Sequence, residues 1–209
     1  ETVAKAAAGW GIERGRPVYL YDGGNGLFAA RAWWVLRWAG VEDVHILDGG
    51  FANWDTTGYP TVAGPGGVVV PRAIELSEGH LPTATIDEVR GFEGMLIDAR
   101  GARRFEGRRE ILDLRAGHIP GALNVPVADL YDEETNTVKS ADAVRDRLAQ
   151  AGVTQNTDPA SVIVYSGSGN HSALLLAALE NAGLPLLTHY VGGWSQWSAN
   201  RDNPVATDM

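Results

Sequence analysis

Cysteine is absent from all 209 residues. That absence excludes disulfides, thiolate zinc sites, iron–sulfur clusters and any thiol nucleophile in the chain as written. It is silent on compartment, because a chain without thiols tolerates oxidising and reducing surroundings alike. Basic residues are also few: 17 Lys+Arg stand against 26 Asp+Glu, a formal charge of −9. Such an excess repels duplex nucleic acid, and no Lys/Arg run forms a patch to reverse it, so no nucleic-acid partner is expected. Long apolar runs are lacking as well. Stretches such as Ala173–Leu179 fall far short of the ~18 residues a membrane span requires, and no membrane partner is expected. Glu1-Thr2-Val3 offers neither the basic start nor the apolar core of a signal peptide. Cytoplasmic location is therefore the default expectation, and a chain that opens on Glu1 rather than Met is read as processed or truncated. His45, His80 and His189 are scattered without metal-ligand spacing, so neither a metal site nor a cofactor is expected. What remains is an ordinary globular mix, 44% hydrophobic and 21% charged. It argues against disorder and fits one large domain or two small ones.

A search for internal repeats is productive. Val18-Tyr19-Leu20-Tyr21 is an apolar β-type run, followed by the loop Asp22-Gly23-Gly24-Asn25-Gly26 and a helical stretch from Leu27 to Ala39. Gly40 closes that helix, a short strand runs Val44–Leu47, and Gly49-Gly50-Phe51 leads to Trp54. The same order recurs as Val162-Ile163-Val164-Tyr165, the loop Ser166-Gly167-Ser168-Gly169-Asn170, a helix from Ser172 to Asn181 closed by Gly183, a strand Thr188–Val191, then Gly192-Gly193-Trp194 and Trp197. The offset is 144 residues from Val18 to Val162 and 143 from Gly49 to Gly192. The unit strand, glycine loop, helix, strand, Gly-Gly-aromatic and Trp thus occurs twice.

The copies differ in what precedes them. Before the second, Thr85 is placed to cap a helix at Ile86–Arg90 with Glu88 as its capping-box partner. Met95–Asp98 reads as a buried strand, Arg100–Arg109 as a charged stretch, and Gly117–Ala122 as a turn before a short strand at Leu123–Val125. Ala141–Ala149 has the periodicity of an amphipathic helix. Before the first copy stand only 17 residues, with a helix end at Val3–Ala8. The expected organisation is the C-terminal half of one domain over 1–62, a linker over 63–81 centred on Gly64–Pro71, and a complete domain over 82–209. The other half of the first domain would be cut off or supplied as a separate chain. Alternating strands and helices imply α/β domains, each a mostly parallel sheet flanked by helices. Ligands of such sheets bind beyond the carboxyl ends of the strands, where both glycine loops fall. Each loop would present backbone N–H groups at a helix N-terminus, an anion cradle.

Leu96-Ile97-Asp98-Ala99-Arg100, then Gly117-His118-Ile119-Pro120-Gly121-Ala122, the loop after Tyr165, and Gly192-Gly193-Trp194 with Trp197 resemble the tandem-domain rhodanese sulfurtransferases. The resemblance covers nearly the whole chain and implies two rhodanese-like domains, the first incomplete. It also implies transfer of a sulfane sulfur from 3-mercaptopyruvate or thiosulfate to a thiol or cyanide acceptor, without a cofactor. In that family the second domain is catalytic and the first carries Asp at the nucleophile position, which Asp22 matches. The catalytic loop should open on a cysteine that becomes a persulfide. Ser166 stands there, so this chain is expected to be inactive, with engineering of a working cysteine favoured over natural loss. The loop resembles the Cys-Gly-Ser-Gly-Val-Thr type of mercaptopyruvate sulfurtransferases, from which Asn170-His171 departs. Thiosulfate-preferring relatives tend to carry basic residues in this loop, and this one has none. Ser168 matches a serine proposed to assist proton transfer, with partners that would lie in the first half-domain. Arg104 matches the family's substrate-binding arginine, and Arg109 and Arg115 are weaker candidates for a second carboxylate contact. Gly167, Gly169, Asn170 and His171 complete the expected substrate site, with an oxyanion or water on the N–H groups of residues 167–171.

Other features have plainer readings. His118 is expected to be a structural turn residue, Asp98 and Arg100 to fix a strand end, and Trp33, Trp34 and Trp38 to belong to core and contacts. His171 points equally well into the pocket or to solvent. Gly24-Asn25-Gly26-Leu27-Phe28-Ala29, with Asp48 beyond, fits a dinucleotide fingerprint. The second copy breaks that fingerprint with Ser172 and Val191. A serine-hydrolase elbow is excluded because neither Ser166 nor Ser168 has both flanking glycines. A phosphatase-type loop would need Arg where Ser172 stands. The alternative to an enzyme is a non-catalytic module that binds an anion or a protein.

Overall fold

A computed structural model describes residues 2–208. The chain divides into two units, 1–81 and 82–209.

In the first unit, α1 (Thr2–Gly9) precedes β1 (Val18–Leu20), α2 (Leu27–Trp38), β2 (Val44–Ile46) and α3 (Gly50–Thr56). Strands β1 and β2 pair in parallel, Tyr19 opposite His45. The buried side of α2 is Ala29, Ala30, Trp33, Trp34 and Leu36, the 3–4 residue spacing of one helix face. Trp34 stacks on Trp38 with centroids 6.1 Å apart. Beyond Gly64–Pro71, which the sequence suggested as a connector, the chain packs back: Arg72, Ser77 and His80 donate backbone bonds to the Ala8, Ala39 and Trp38 carbonyls.

The second unit is a four-stranded parallel sheet in the order β4-β3-β5-β6, built from β3 (Met95–Asp98), β4 (Leu123–Asn124), β5 (Val162–Tyr165) and β6 (Thr188–Tyr190). All four residues of β5 are buried, as a central strand covered on both faces requires. Short helices α4 (Ile86–Arg90) and α5 (Ala102–Phe105) flank β3, and α6 (Ala141–Gln150) and α7 (Asn170–Asn181) flank β5, while α8 (Gly193–Ala199) follows β6. The expected capping box is present: Thr85 Oγ1 accepts from the Glu88 N–H, and the Glu88 carboxylate accepts from the Thr85 N–H at 2.6 Å. On α7, Leu174, Leu175, Leu176 and Leu179 are all buried, each contributing about 1.5–3 kcal/mol to stability by leaving water. No helix among the described residues is long and apolar enough to cross a membrane. Among those residues no group of three His, Asp or Glu side chains is arranged to hold a metal ion.

Helix α7 begins two residues earlier than Ser172, because Gly169 takes φ 88° and turns the chain into the helix at Asn170. Helices α3 and α8 were not resolved from the sequence, which marks only their Gly-Gly openings. Gly193 has φ 56°, and a Cβ there would strike the Ser166 and Gly167 carbonyls; Gly50, at φ 60°, stands in the same relation to the Asp22 carbonyl. The glycine pair lets the helix start run directly beneath each loop. Trp194 N–H then donates to the Ser166 carbonyl at 2.7 Å, as Phe51 N–H does to Asp22 at 3.0 Å.

Candidate functional site at the loop after β5

The loop of the first unit holds its own anion. Asp22 Oδ1 accepts from the N–H groups of Gly24 and Gly26, both at 3.0 Å, and Oδ2 from Phe28 at 3.1 Å and Ala29 at 3.2 Å. Burial opposes ionisation of this carboxyl, but the four N–H bonds outweigh it and hold the group below the usual aspartate range. A loop of this shape at a helix N-terminus therefore binds negative charge.

Position 166 occupies the corresponding place in the second unit. Ser166 is fully buried at the end of β5. Its Oγ accepts from the Gly169 N–H at 3.2 Å and lies 3.0 Å from Ser172 Oγ. Ser172 Oγ is in turn 2.7 Å from His189 Nε2 on β6. The N–H groups of Gly167, Ser168, Asn170, His171 and Ser172 donate to no protein acceptor among the described bonds. Ser168 is exposed at the loop tip, while Gly167 and Gly169 are buried and Asn170 and His171 half-buried. Burial, with help from the Arg104 and Arg100 charges against Asp98, pushes the His171 imidazole below its ordinary range.

A network of alternating charge lies beside the loop. Asp98 and Arg100 are fully buried and joined by Nη2–Oδ2 at 2.7 Å and two Nε contacts. Arg100 also donates to the Gly117 carbonyl at 2.7 Å and lies 4.9 Å from the Trp194 ring centroid. Burial disfavours its charge, yet the Asp98 carboxylate more than compensates and raises its pKa. Glu110 sits 3.5 Å from Arg100 Nη1 and accepts from Arg104 Nε and Nη2, and Asp113 takes a further Arg104 bond at 2.7 Å. Burial works against a charged Glu110, but N–H bonds from Leu112 and Asp113 and the Arg104 guanidinium lower its pKa. Arg104 Nη1 is left as the edge nearest Gly167, 3.4 Å from where a Cβ would stand.

The geometry thus gathers Ser166, Gly167, Gly169, Asn170, His171 and Arg104 about one loop. Arg109 is exposed and lies with Arg103, Arg104, Ile111 and Leu112 along an open cleft of about 410 Å³. Arg115 points elsewhere: its guanidinium donates to the carbonyls of Trp197, Ser198, Asn200 and Asn203, capping the end of α8. His118 is structural, with Nδ1 2.8 Å from the Phe105 carbonyl and its ring stacked on Phe105 at 3.7 Å. The sequence alone does not mark Ser172, His189, Glu110 or Asp113 as site residues. A serine six residues after Ser166 and a histidine on the adjacent strand were the only signals for the first two.

The Rhodanese-like domain family model matches residues 2–57 and 75–200. The 3-mercaptopyruvate sulfurtransferase of Escherichia coli K12 is 36% identical over 98% of this chain and 73% of its own length. The thiosulfate sulfurtransferase of Gallus gallus is 31% identical over 90% of this chain and 65% of its own. The crystal structure of SseA from Escherichia coli, described as a 3-mercaptopyruvate sulfotransferase with the rhodanese fold, superposes with a TM-score of 0.76 at 34% identity. That match covers 93% of this chain and 73% of the other.

Proposed function

The chain belongs to the rhodanese-like family, and on that premise we propose that its second unit is the catalytic type of domain in a sulfurtransferase, with the nucleophile position at residue 166. The donor is 3-mercaptopyruvate, ahead of thiosulfate, and the acceptor a thiol or cyanide. Thiosulfate-preferring members of the family tend to carry basic residues in this loop, and residues 166–171 carry no Lys or Arg.

The observation that carries this reading is the pair of loops. Four N–H groups around Asp22 hold a carboxylate, and in the matching loop the Gly169 N–H donates to position 166 while those of Gly167, Ser168, Asn170, His171 and Ser172 have no protein acceptor among the described bonds. With cysteine at 166, that field would favour a thiolate. The thiolate attacks the donor's terminal sulfur; a sulfur–sulfur bond forms, the donor's bond to that sulfur breaks, and the electron pair departs on pyruvate enolate or sulfite. An acceptor thiolate or cyanide then takes the outer sulfur and regenerates the cysteine thiolate. Arg104 Nη1, at the mouth of the loop, is the cation for the donor's carboxylate or sulfonate.

Serine at 166 stops this sequence. Its proton is far harder to remove than a thiol's, and a hard alkoxide neither captures nor releases sulfur in this way. We therefore read the present chain as inactive in sulfur transfer and Ser166 as the replacement of a cysteine. Intact mass of a Ser166→Cys variant after incubation with mercaptopyruvate or thiosulfate tests the assignment. One added sulfur, lost again on addition of a thiol, is the expected result, with faster loading from mercaptopyruvate. A folded variant that gains no sulfur from either donor would overturn it and leave a module that binds anions without turning them over.

A further inference from the structure

We propose that Ser172 and His189 form a base relay that takes the proton of the group at position 166, acting as positioning residues for the nucleophile. The proposal rests on the assignment of position 166 above.

Ser166, Ser172 and His189 are all fully buried, and they are consecutive links at 3.0 and 2.7 Å. Counting donors gives the chain a direction. Gly169 N–H donates to Ser166 Oγ. If Ser166 then donates to Ser172 and Ser172 to His189 Nε2, both hydroxyl protons have acceptors. Reversed, with Nε2 donating to Ser172 and Ser172 to Ser166, the Ser166 proton has no acceptor among the described bonds. Taking the hydroxyl protons alone, the arrangement that pairs both runs from position 166 to the imidazole, with the ring proton on Nδ1.

The loop does not need this relay in order to fold. Counted from the glycines that open the two helices, Gly26 and Gly169, the first-unit residue matching Ser172 is the buried Ala29, and the loop still closes, on the Asp22 carboxylate. By strand register the residue matching His189 is Ile46, opposite Leu20 as His189 is opposite Val164, and its side chain cannot accept a proton. Three buried polar side chains in place of apolar packing are costly unless they are joined to one another. They are joined only in the unit whose loop opens on a group that has a proton to give. Adjacent parallel strands set the position: Val164 of β5 pairs with His189 of β6, two residues before position 166.

The other charged and titratable groups around the loop are Asp98 and Arg100 at the end of β3, Arg104 with Glu110 behind it, and His171 in the first turn of α7. Tyr165 and Tyr190 lie on β5 and β6. None of these is altered by the substitutions that test the relay.

The chain has no other thiol, so a Ser166→Cys variant reports on position 166 alone. Its alkylation by iodoacetamide is followed across pH, in the otherwise unaltered chain and with Ser172→Ala, Ser172→Thr or His189→Gln added. Ser172→Ala and His189→Gln are expected to raise the midpoint of reactivity by about one pH unit, the scale of one hydrogen bond to an ionised group. Ser172→Thr, which keeps the hydroxyl, is expected to restore it. Midpoints that coincide within experimental scatter in all four proteins, each folded by circular dichroism, would overturn the relay. Sulfur loading measured on the same samples separates the two readings. Loading with unmoved midpoints refutes only the relay, and moved midpoints without loading refute only sulfur transfer.

Discussion

The buried pair Asp98–Arg100 offers a stability test whose sign depends on desolvation. Asp98 accepts from the Arg100 backbone N–H at 2.9 Å, from Nε at 3.0 and 3.1 Å, and from Nη2 at 2.7 Å. Asp98→Asn keeps the shape and one acceptor oxygen but removes the charge, leaving a guanidinium with no solvent exposure. Breaking a buried pair on one side costs about 3–5 kcal/mol. Arg100 retains the Gly117 carbonyl, the Trp194 ring and, at 3.5 Å, Glu110, so the lower end of that range, about 3 kcal/mol, is the expected loss. Replacing both partners, as Asp98→Leu with Arg100→Met, removes the stranded charge as well. The double variant forfeits the Gly117 bond and the bond from the Arg100 backbone N–H to Asp98, each worth about 1 kcal/mol, and is still expected to be more stable than the single one. Because the chain has two units, a single denaturation midpoint would mix them. Amide hydrogen exchange on β5 reads the second unit alone, and a loss of about 3 kcal/mol appears there as roughly a hundred-fold drop in protection. A drop of less than about tenfold, or a double variant less protected than the single one, would refute the argument.

Three other perturbations are set by the same geometry. Gly193→Ala places a Cβ at φ 56° against the Ser166 and Gly167 carbonyls; a loss of about 2 kcal/mol or more, seen as reduced amide protection on β5, is expected, and unchanged protection would contradict the close approach. Asp22→Ala removes the acceptor of four N–H groups and is expected to cost about 1–3 kcal/mol at neutral pH. The folded Asp22 pKa is depressed, so its contribution is complete above the unfolded value of about 4 and disappears as pH falls through the folded one; the gap between the two stability curves should start to narrow near pH ~4 and go on narrowing as pH falls further, and a gap that does not change with pH would refute the account. In a Ser166→Cys background, Arg104→Lys loses the planar fork that reaches Glu110 and Asp113 while presenting Nη1 to the loop. A rise in donor KM of about tenfold is expected, and steady-state kinetics with an unchanged KM would remove Arg104 from donor binding.

Much of the fold was legible because its signals are local. The all-apolar run Val162–Tyr165 between a polar stretch and a glycine loop could only be a central strand, and Thr85 with Glu88 marked a helix start to the residue. Helices α3 and α8 escaped because each has 7 residues and opens on glycine, a poor helix former whose role here is to pass beneath a carbonyl. The site was legible where its residues are contiguous, from Ser166 to His171. It was not where pairing is long-range. Arg115 sits among the arginines of a charged stretch, yet its partners lie 82 to 88 residues away at the end of α8. His189 looked like one of several scattered histidines until strand register put it beside Val164. Arg104 was readable as a cation for a donor, but its fixation by Glu110 and Asp113 depends on a turn at 110–114 that has no periodic signal.

The two loops also separate what the fold requires from what the chemistry requires. Both need a glycine at the start of the following short helix, because the backbone there runs against the loop carbonyls; Gly50 and Gly193 meet that need alike. Both end at a helix N-terminus, where N–H groups are left without helical acceptors; four of them reach Asp22 in the first loop and one, from Gly169, reaches Ser166 in the second. Neither feature fixes the identity of the first loop residue. Asp22 satisfies the N–H groups within the chain and leaves nothing to ionise at neutral pH. Ser166 satisfies one of them, through Gly169, and its hydroxyl is joined inward to Ser172, to which the relay has it donate. The backbone of residues 167–172 thus retains its capacity for an anion, while the side chain at 166 is held as a proton donor. A loop arranged this way binds charge whatever stands at its head, so the step from binding to turnover lies in one side chain rather than in the fold.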